Sequence, residues 1–310
     1  MEEQLTVITL GNVKAWIFIT LCSLLAWIIY WIPSSIFRVS SLDGIPWDVV
    51  IQTNGVMFAV IELSAAVGML IRFIGVILAI IGFSQFWPTT VWNRNKPFSD
   101  AKKWVASALV LESCYFALLL PSGLLMVGVG INLDIPLTGI FLGIDYLLMV
   151  LFTAPILTIL AVKIYKLKGN ETGFTAWNWV SVAFIGYIAS LWANIVLKWF
   201  AVIIAEGFGF LFTGVVPLGA INSLILMSLA LIFAIIGAFS LVKQNFRAAF
   251  KWLGITFVLV GLHYIIYVVY SFLVGMQDFL MIAEIWAIPL LGLGVAMLRV
   301  KVIKMEQNSP

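Results

Sequence analysis

Charge is the scarcest resource in this chain. Of its 310 residues only 10% are Asp, Glu, Lys or Arg, whereas a water-soluble domain carries about 25%. That deficit leaves too little polar surface to solvate a globular domain, so no soluble head is expected. Cysteine is limited to Cys22 and Cys114; both fall inside apolar runs and read as small core residues, neither a disulfide nor a metal pair. There is one histidine, His263. A bis-histidine haem needs two axial imidazoles, so this chain holds none by itself and no cofactor of its own is expected. No Cys-x-x-Cys-His, Gly-x-x-x-x-Gly-Lys, His-Glu-x-x-His or strand-borne Gly-x-Gly-x-x-Gly is present, and no helix carries an arginine ladder. Catalysis by this chain alone is not expected. The opening Met1-Glu2-Glu3 lacks a basic leader, so the first apolar helix is expected to stay in the membrane.

What is abundant is apolar surface. Hydrophobic residues make up 63% of the chain, and mean hydropathy is +1.14. Only lipid can cover that much apolar area, and a crossing needs about 20 residues. The pattern predicts an all-α integral membrane protein with about eight spans, near 13–33, 66–87, 104–130, 136–162, 177–203, 217–242, 252–275 and 279–299. If the spans alternate, 14 of the 17 Lys and Arg fall on one side: Lys14, the 94–103 and 163–168 segments, Lys243 to Lys251, and Arg299 to Lys304. The opposite loops hold Asp43, Asp48, Asp134, Glu206 and Asp278. The positive-inside rule then places both termini in the cytoplasm of a prokaryotic cell, with the protein in the plasma membrane. Tryptophans agree: Trp16, Trp87, Trp92, Trp104, Trp177, Trp179 and Trp252 sit at predicted inner ends, and Trp31, Trp47 and Trp199 at outer ends, where an apolar ring with one N–H is favoured. Residues 46–65 are expected to form an outer-face or re-entrant segment feeding span two, with Glu62 and Arg72 paired near the outer boundary.

The two halves echo each other. Ala79-Ile80-Ile81-Gly82 returns as Ala234-Ile235-Ile236-Gly237, Lys103-Trp104 as Lys251-Trp252, and the proline of Ala154-Pro155-Ile156-Leu157 as that of Ile288-Pro289-Leu290-Leu291. With four spans each, 1–168 and 169–310 are expected to be parallel repeats related by an axis along the membrane normal. Gly68, Gly75 and Gly82 recur every seven residues and make a smooth face for a neighbouring helix, as do Gly139 and Gly143.

Ionisable residues inside a bilayer are costly and therefore informative. Glu112 and Asp145 are expected near the midplane on adjacent helices, where two carboxylates would have to share a proton. His263, followed by Tyr264, Tyr267 and Tyr270, lies deep in span seven, and Glu284 lies in the outer part of span eight. These four are the candidate intramembrane polar site, as a proton path, an ion site or a quinone-head-group pocket; the alternative is a set of buried hydrogen bonds that orders helix packing. Lys198 is placed to snorkel beside Trp199. Phe208, Phe210 and Phe212 in an outer loop are candidate docking residues for a partner, or rings that dip into the lipid interface.

Length, helix-only hydrophobicity, a Trp-rich helix end such as Trp27-Ile28-Ile29-Tyr30-Trp31 and the missing haem ligand pair together resemble the hydrophobic B subunit of crenarchaeal cytochrome b558/566. The resemblance implies a cofactor-free subunit of a respiratory electron-transfer complex, anchoring it or serving its quinone or proton side beside a partner that carries haem. The alternative from the residues is a small proton-coupled transporter working through midplane carboxylates, which the prolines Pro121, Pro155 and Pro289 within spans would suit. Nucleic acid is not an expected partner; the lipid bilayer is.

Overall fold

In hydrocarbon every backbone N–H and C=O must find a partner within the protein, which makes the helix the default for apolar segments of this length. The computed structural model follows that rule. It describes residues 5–9, 12–40, 55–86, 91–92, 101–132, 144, 146–166, 174–207, 209, 212, 214, 216–243, 245–273 and 280–305. Eight helical rods account for nearly all of them. These are α1 (Val13–Ser40), α2 (Gly55–Phe86), α3 (Lys102–Ala117, continued by Leu119–Asn132), α4 (a π-helical turn Met149–Thr153 running into Ala154–Lys166), α5 (Phe174–Glu206), α6 (Val216–Ile221, a π turn Asn222–Leu226, then Met227–Val242), α7 (Phe246–Leu273) and α8 (Leu280–Leu298). Seven of them are long and apolar enough to cross a membrane, and α8 is a shorter apolar helix of 19 residues. The chain is a multi-pass helical protein of the lipid bilayer.

Three short antiparallel strands complete the fold: β1 (Leu5–Thr9), β2 (Val91–Trp92) and β3 (Lys301–Met305), in the order β2–β1–β3. Leu5 pairs with Met305 and Thr9 with Lys301, while Ile8 pairs with Trp92. The two chain ends and the α2–α3 segment therefore lie together at one end of the bundle.

The rods pack in sequence order, α1 on α2 and so on to α8, and α8 returns to α1. The result is a closed ring. The Trp16 ring of α1 packs against Gly292 of α8 at the closure, where a Cβ would overlap the ring. Within the ring, α3 lies along the glycine stripe of α2: a Cβ on Gly75 would sit 3.2 Å from Leu111, and one on Gly82 3.0 Å from Trp104 and Val105. The stripe thus serves packing inside the chain. At the end that carries the strands, apolar clusters fill the interior. Ala106, Leu160, Ala161, Ile164 and Ala183 form one, Leu241, Phe246 and Ala249 a second, and Val13, Leu293, Ala296 and Met297 a third. Val180 of α5 packs against the first two, so this end of the ring is plugged.

The turns follow local rules. Gly207, at φ 82°, ends α5 with its N–H donating to the Ile203 carbonyl at 2.9 Å, the left-handed cap that glycine forms without a Cβ penalty. Asn245 caps α7: its Oδ1 accepts from the Ala248 N–H at 3.2 Å. The π turn in α4 immediately precedes Pro155, whose missing N–H and ring would otherwise clash with the preceding turn.

Two expectations change here. Gly55–Phe86 is one unbroken helix, so residues 55–65 are the first turns of α2 and not a separate outer-face piece; 46–54 lie outside the described residues. The fourth rod ends at Lys166, later than the expected 162, and 133–143, with Gly139 and Gly143, also lie outside the described residues.

Candidate functional site

The extra turns of α2 decide where its one arginine goes. Arg72 falls near the centre of a 32-residue helix, not at an outer boundary, and so it faces Glu112 on α3. Its Nη2 stands 2.7 Å from Oε1, and its Nε donates to Oε2 at 3.2 Å. This two-point fork is the geometry in which a guanidinium and a carboxylate bind best. The expected Glu62–Arg72 pair is thereby replaced; the Glu62 side chain lies outside the described residues. Glu112 has a guanidinium for its partner, so no proton shared with a second carboxylate is needed to place it here. Asp145 lies outside the described residues.

Aromatic rings surround the cation. The guanidinium carbon is 4.7 Å from the centre of the Tyr115 ring and 5.6 Å from that of Trp27, within the range where a ring face attracts a cation. Tyr187 of α5 and Tyr264 of α7 also interact electrostatically with Arg72. An arginine at mid-bilayer costs about 2.5–3.5 kcal/mol on an insertion scale; the ion pair and the rings offset that cost. The pair is not sealed. Side-chain exposures are 11% for Arg72 and 22% for Glu112, and Tyr187 leaves 39% of its surface open. Helix α5 packs along α4 and α6 and meets α3 near the plugged end through Val180 and Ala183. Above that plug Tyr187 reaches from α5 to Arg72, its hydroxyl oxygen accepting from the guanidinium.

A second polar group lies in α6 and α7. Asn222, at the start of the π turn, places its Nδ2 3.3 Å from His263 Nδ1 and 3.1 Å from the His263 carbonyl. Both side chains are about 5% exposed. Nδ2 is a donor only, so Nδ1 accepts and the imidazole proton belongs on Nε2. Asn222 Oδ1 is buried and has no hydrogen-bond partner among the described residues. The His263 ring lies 5.4 Å from Tyr264 and 6.1 Å from Tyr267, which is 6.2 Å from Tyr270. Tyr264 thus stands between His263 and the Arg72 group.

Elsewhere hydroxyls bind helices together. Ser113 donates to the Ala154 carbonyl at 2.7 Å and lies 2.7 Å from Thr158 Oγ1; Thr153 and Ser190 meet at 2.8 Å across α4 and α5; Trp192 donates to Ser228 at 2.9 Å.

Of the residues singled out from sequence, Glu112 and His263 both face the ring interior, in separate groups joined through Tyr115, Arg72 and Tyr264. The backbone of Glu284 is helical in α8, but its side chain, like that of Lys198, lies outside the described residues, as do Phe208 and Phe210. Phe212 is 72% exposed. Sequence reading missed Trp27, Tyr187 and Asn222 as members of the site; Arg72, alone in an apolar run, was the signal that a partner had to exist. Among the described residues no three His, Cys, Asp or Glu converge as a metal site. No protein-family model, curated protein or solved structure matches the chain.

Proposed function

We propose that the Arg72 group binds the head of a lipid-soluble carbonyl compound of the quinone class, and that the chain is the cofactor-free, quinone-side membrane subunit of a respiratory electron-transfer complex. The observation that carries this is an ion pair at mid-bundle ringed by Trp27, Tyr115, Tyr187 and Tyr264. A quinone carbonyl only accepts hydrogen bonds, and the Tyr115 and Tyr187 hydroxyls, whose oxygens accept from Arg72, keep their O–H groups as donors for it. The ring of such a ligand suits the flat faces of Trp27 and Tyr115. Haem would be supplied by a partner subunit. On this reading the protein lies in the plasma membrane of a prokaryote, built as four plus four helices with both termini cytoplasmic; the positive-inside count supports that side for the end where β1 and β3 pair.

Saturable binding of decylubiquinone to the detergent-purified protein, weakened at least tenfold in the double variant Arg72→Met, Glu112→Val, is the expected result. Wild-type protein that shows no saturable binding sinks the head-group reading. Purification from the native membrane in mild detergent tests the subunit reading: a haem absorbance band should accompany the chain, and a clean monomer without it counts against the complex.

A second reading, proton-coupled transport, is favoured by a carboxylate held at mid-bundle within a closed ring of helices. Proton flux in liposomes that is abolished by Glu112→Gln would select it over the subunit.

A further inference from the structure

We infer that the second half of the chain carries its own ligand site, at Asn222 and His263, and that this site takes a hydroxyl rather than a carbonyl. The argument begins with two glycine contacts. A Cβ on Gly82 would lie 3.2 Å from the Val105 nitrogen, and a Cβ on Gly237 would lie 3.1 Å from the Leu253 nitrogen. The same close approach joins α2 to α3 and α6 to α7. Beside each, a lysine ammonium stands 5.5 Å from a tryptophan ring, Lys103 on Trp104 and Lys251 on Trp252. These matched contacts set a register: Gly82 to Gly237 is 155 positions, and Val105 to Leu253 is 148.

On that register Tyr115 corresponds to His263, and Gly68 to Ser223, the neighbour of Asn222. Gly68 lies against the Tyr115 ring, and it is Asn222, one residue before the matching Ser223, that lies against the His263 ring. Arg72 corresponds to Met227 and Glu112 to Val260, and Met227 and Val260 lie together in one buried apolar cluster. The second half therefore carries its polar pair about one helical turn away from the level that matches Arg72 and Glu112, neutral where the first pair is charged.

The chemistry of the second group differs in one atom. Both Asn222 amide protons point at His263, and Oδ1 is left as a buried acceptor without a partner among the described residues. A buried acceptor is satisfied only by a donor. A carbonyl ligand brings none, and a cation would lack a counter-charge, since the neighbours Tyr264, Tyr267 and Ser223 are neutral. A neutral hydroxyl donates to Oδ1 and needs no counter-charge. The π turn Asn222–Leu226 directs Asn222 inward, a distortion that recurs at functional positions. The hydroxyl-bearing counterpart of a quinone is its quinol, and that choice of ligand rests on the proposed function; the hydroxyl site itself does not.

The single histidine makes the test direct, because ring-15N-histidine labelling reports on His263 alone. The purified protein is titrated with 2,3-dimethoxy-5-methyl-1,4-hydroquinone and, separately, with the matching benzoquinone. The hydroquinone should move the His263 Nδ1 resonance, the nitrogen bonded to the Asn222 amide, saturably, with the quinone at least tenfold weaker, as expected where a site built for a hydroxyl meets an analogue that lacks it. Asn222→Leu should remove the hydroquinone shift, and Arg72→Met, Glu112→Val should leave it unchanged. No saturable shift with either compound, or equal affinity for both in the wild-type protein, overturns the inference, and neither outcome depends on a variant folding. Decylubiquinone binding at the Arg72 group with no hydroquinone response at His263 defeats this inference and spares the proposed function; the reverse result does the opposite.

Discussion

Arg72 and Glu112 meet at 2.7 Å across α2 and α3, while Met227 and Val260, which the inferred register sets opposite them, lie together in one apolar cluster of α6 and α7. The inferred register thus implies that this helix contact needs no ion pair and that the charges serve a task other than holding α2 against α3.

That relationship makes a stability prediction. Removing one partner strands the other in a low-dielectric interior, at a cost of about 3–5 kcal/mol, whereas replacing a buried pair by apolar residues of similar volume is neutral or stabilising. Arg72→Met and Glu112→Val should each lower the melting temperature in detergent, and the double variant should recover it to near the wild-type value. A double variant as unstable as the worse single variant would mean that the pair is structural.

Helices α7 and α8 approach through glycine. A Cβ on Gly294 would stand 2.7 Å from the Gly254 carbonyl oxygen and 2.8 Å from the Val258 nitrogen. Backbone cannot yield as a side-chain tip can, so Gly294→Val should cost at least the ~1–3 kcal/mol typical of overpacking. Gly209→Ala, at a position with nothing within 4 Å, is the control. Equal melting curves for the two variants would contradict the α7–α8 contact.

The α6–α7 turn depends on one cap. Asn245→Ala removes the acceptor for the Ala248 N–H and should cost about 1 kcal/mol. Amide exchange should speed up at the first turn of α7 and remain slow at mid-helix; uniform protection in the variant would refute the cap.

The pairing of β1 with β3 joins the chain ends. Thr6 and Lys304 are directly opposite, so cysteines at both positions, in a background without Cys22 and Cys114, should cross-link under mild oxidation. A reagent that cannot cross the membrane should label both singles from the same side. Labelling from opposite sides would break the ring and imply an odd number of crossings.

Much of the architecture was legible in the linear pattern. The sixth, seventh and eighth rods run Val216–Val242, Phe246–Leu273 and Leu280–Leu298, against expected spans of 217–242, 252–275 and 279–299. Hydrophobic length alone marks a crossing, because a bilayer has a fixed thickness. The start of α2 was misplaced by eleven residues, since an apolar run long enough for more than one crossing contains no internal signal of where a single helix begins. That error carried Arg72 to the wrong depth and to the wrong partner. Glu112 and His263 stood out because ionisable groups are rare in spans; Asn222, Tyr187 and Trp27 did not, because neutral polar and aromatic residues are common there.

By itself, then, the order of residues determined the solvent of this protein and the number and approximate place of its helices, because apolar run length and charge placement are properties that each segment carries alone. Which residues meet was decided only by the tertiary structure. Partnership across helices depends on the depth and rotation of each rod, and those follow from glycine contacts such as Gly82 with Val105 and Gly294 with Gly254. The closure of the ring, the Arg72–Glu112 fork and the buried acceptor on Asn222 all arise at that level, where one turn of helix, about 5.4 Å, separates a partner from a stranger.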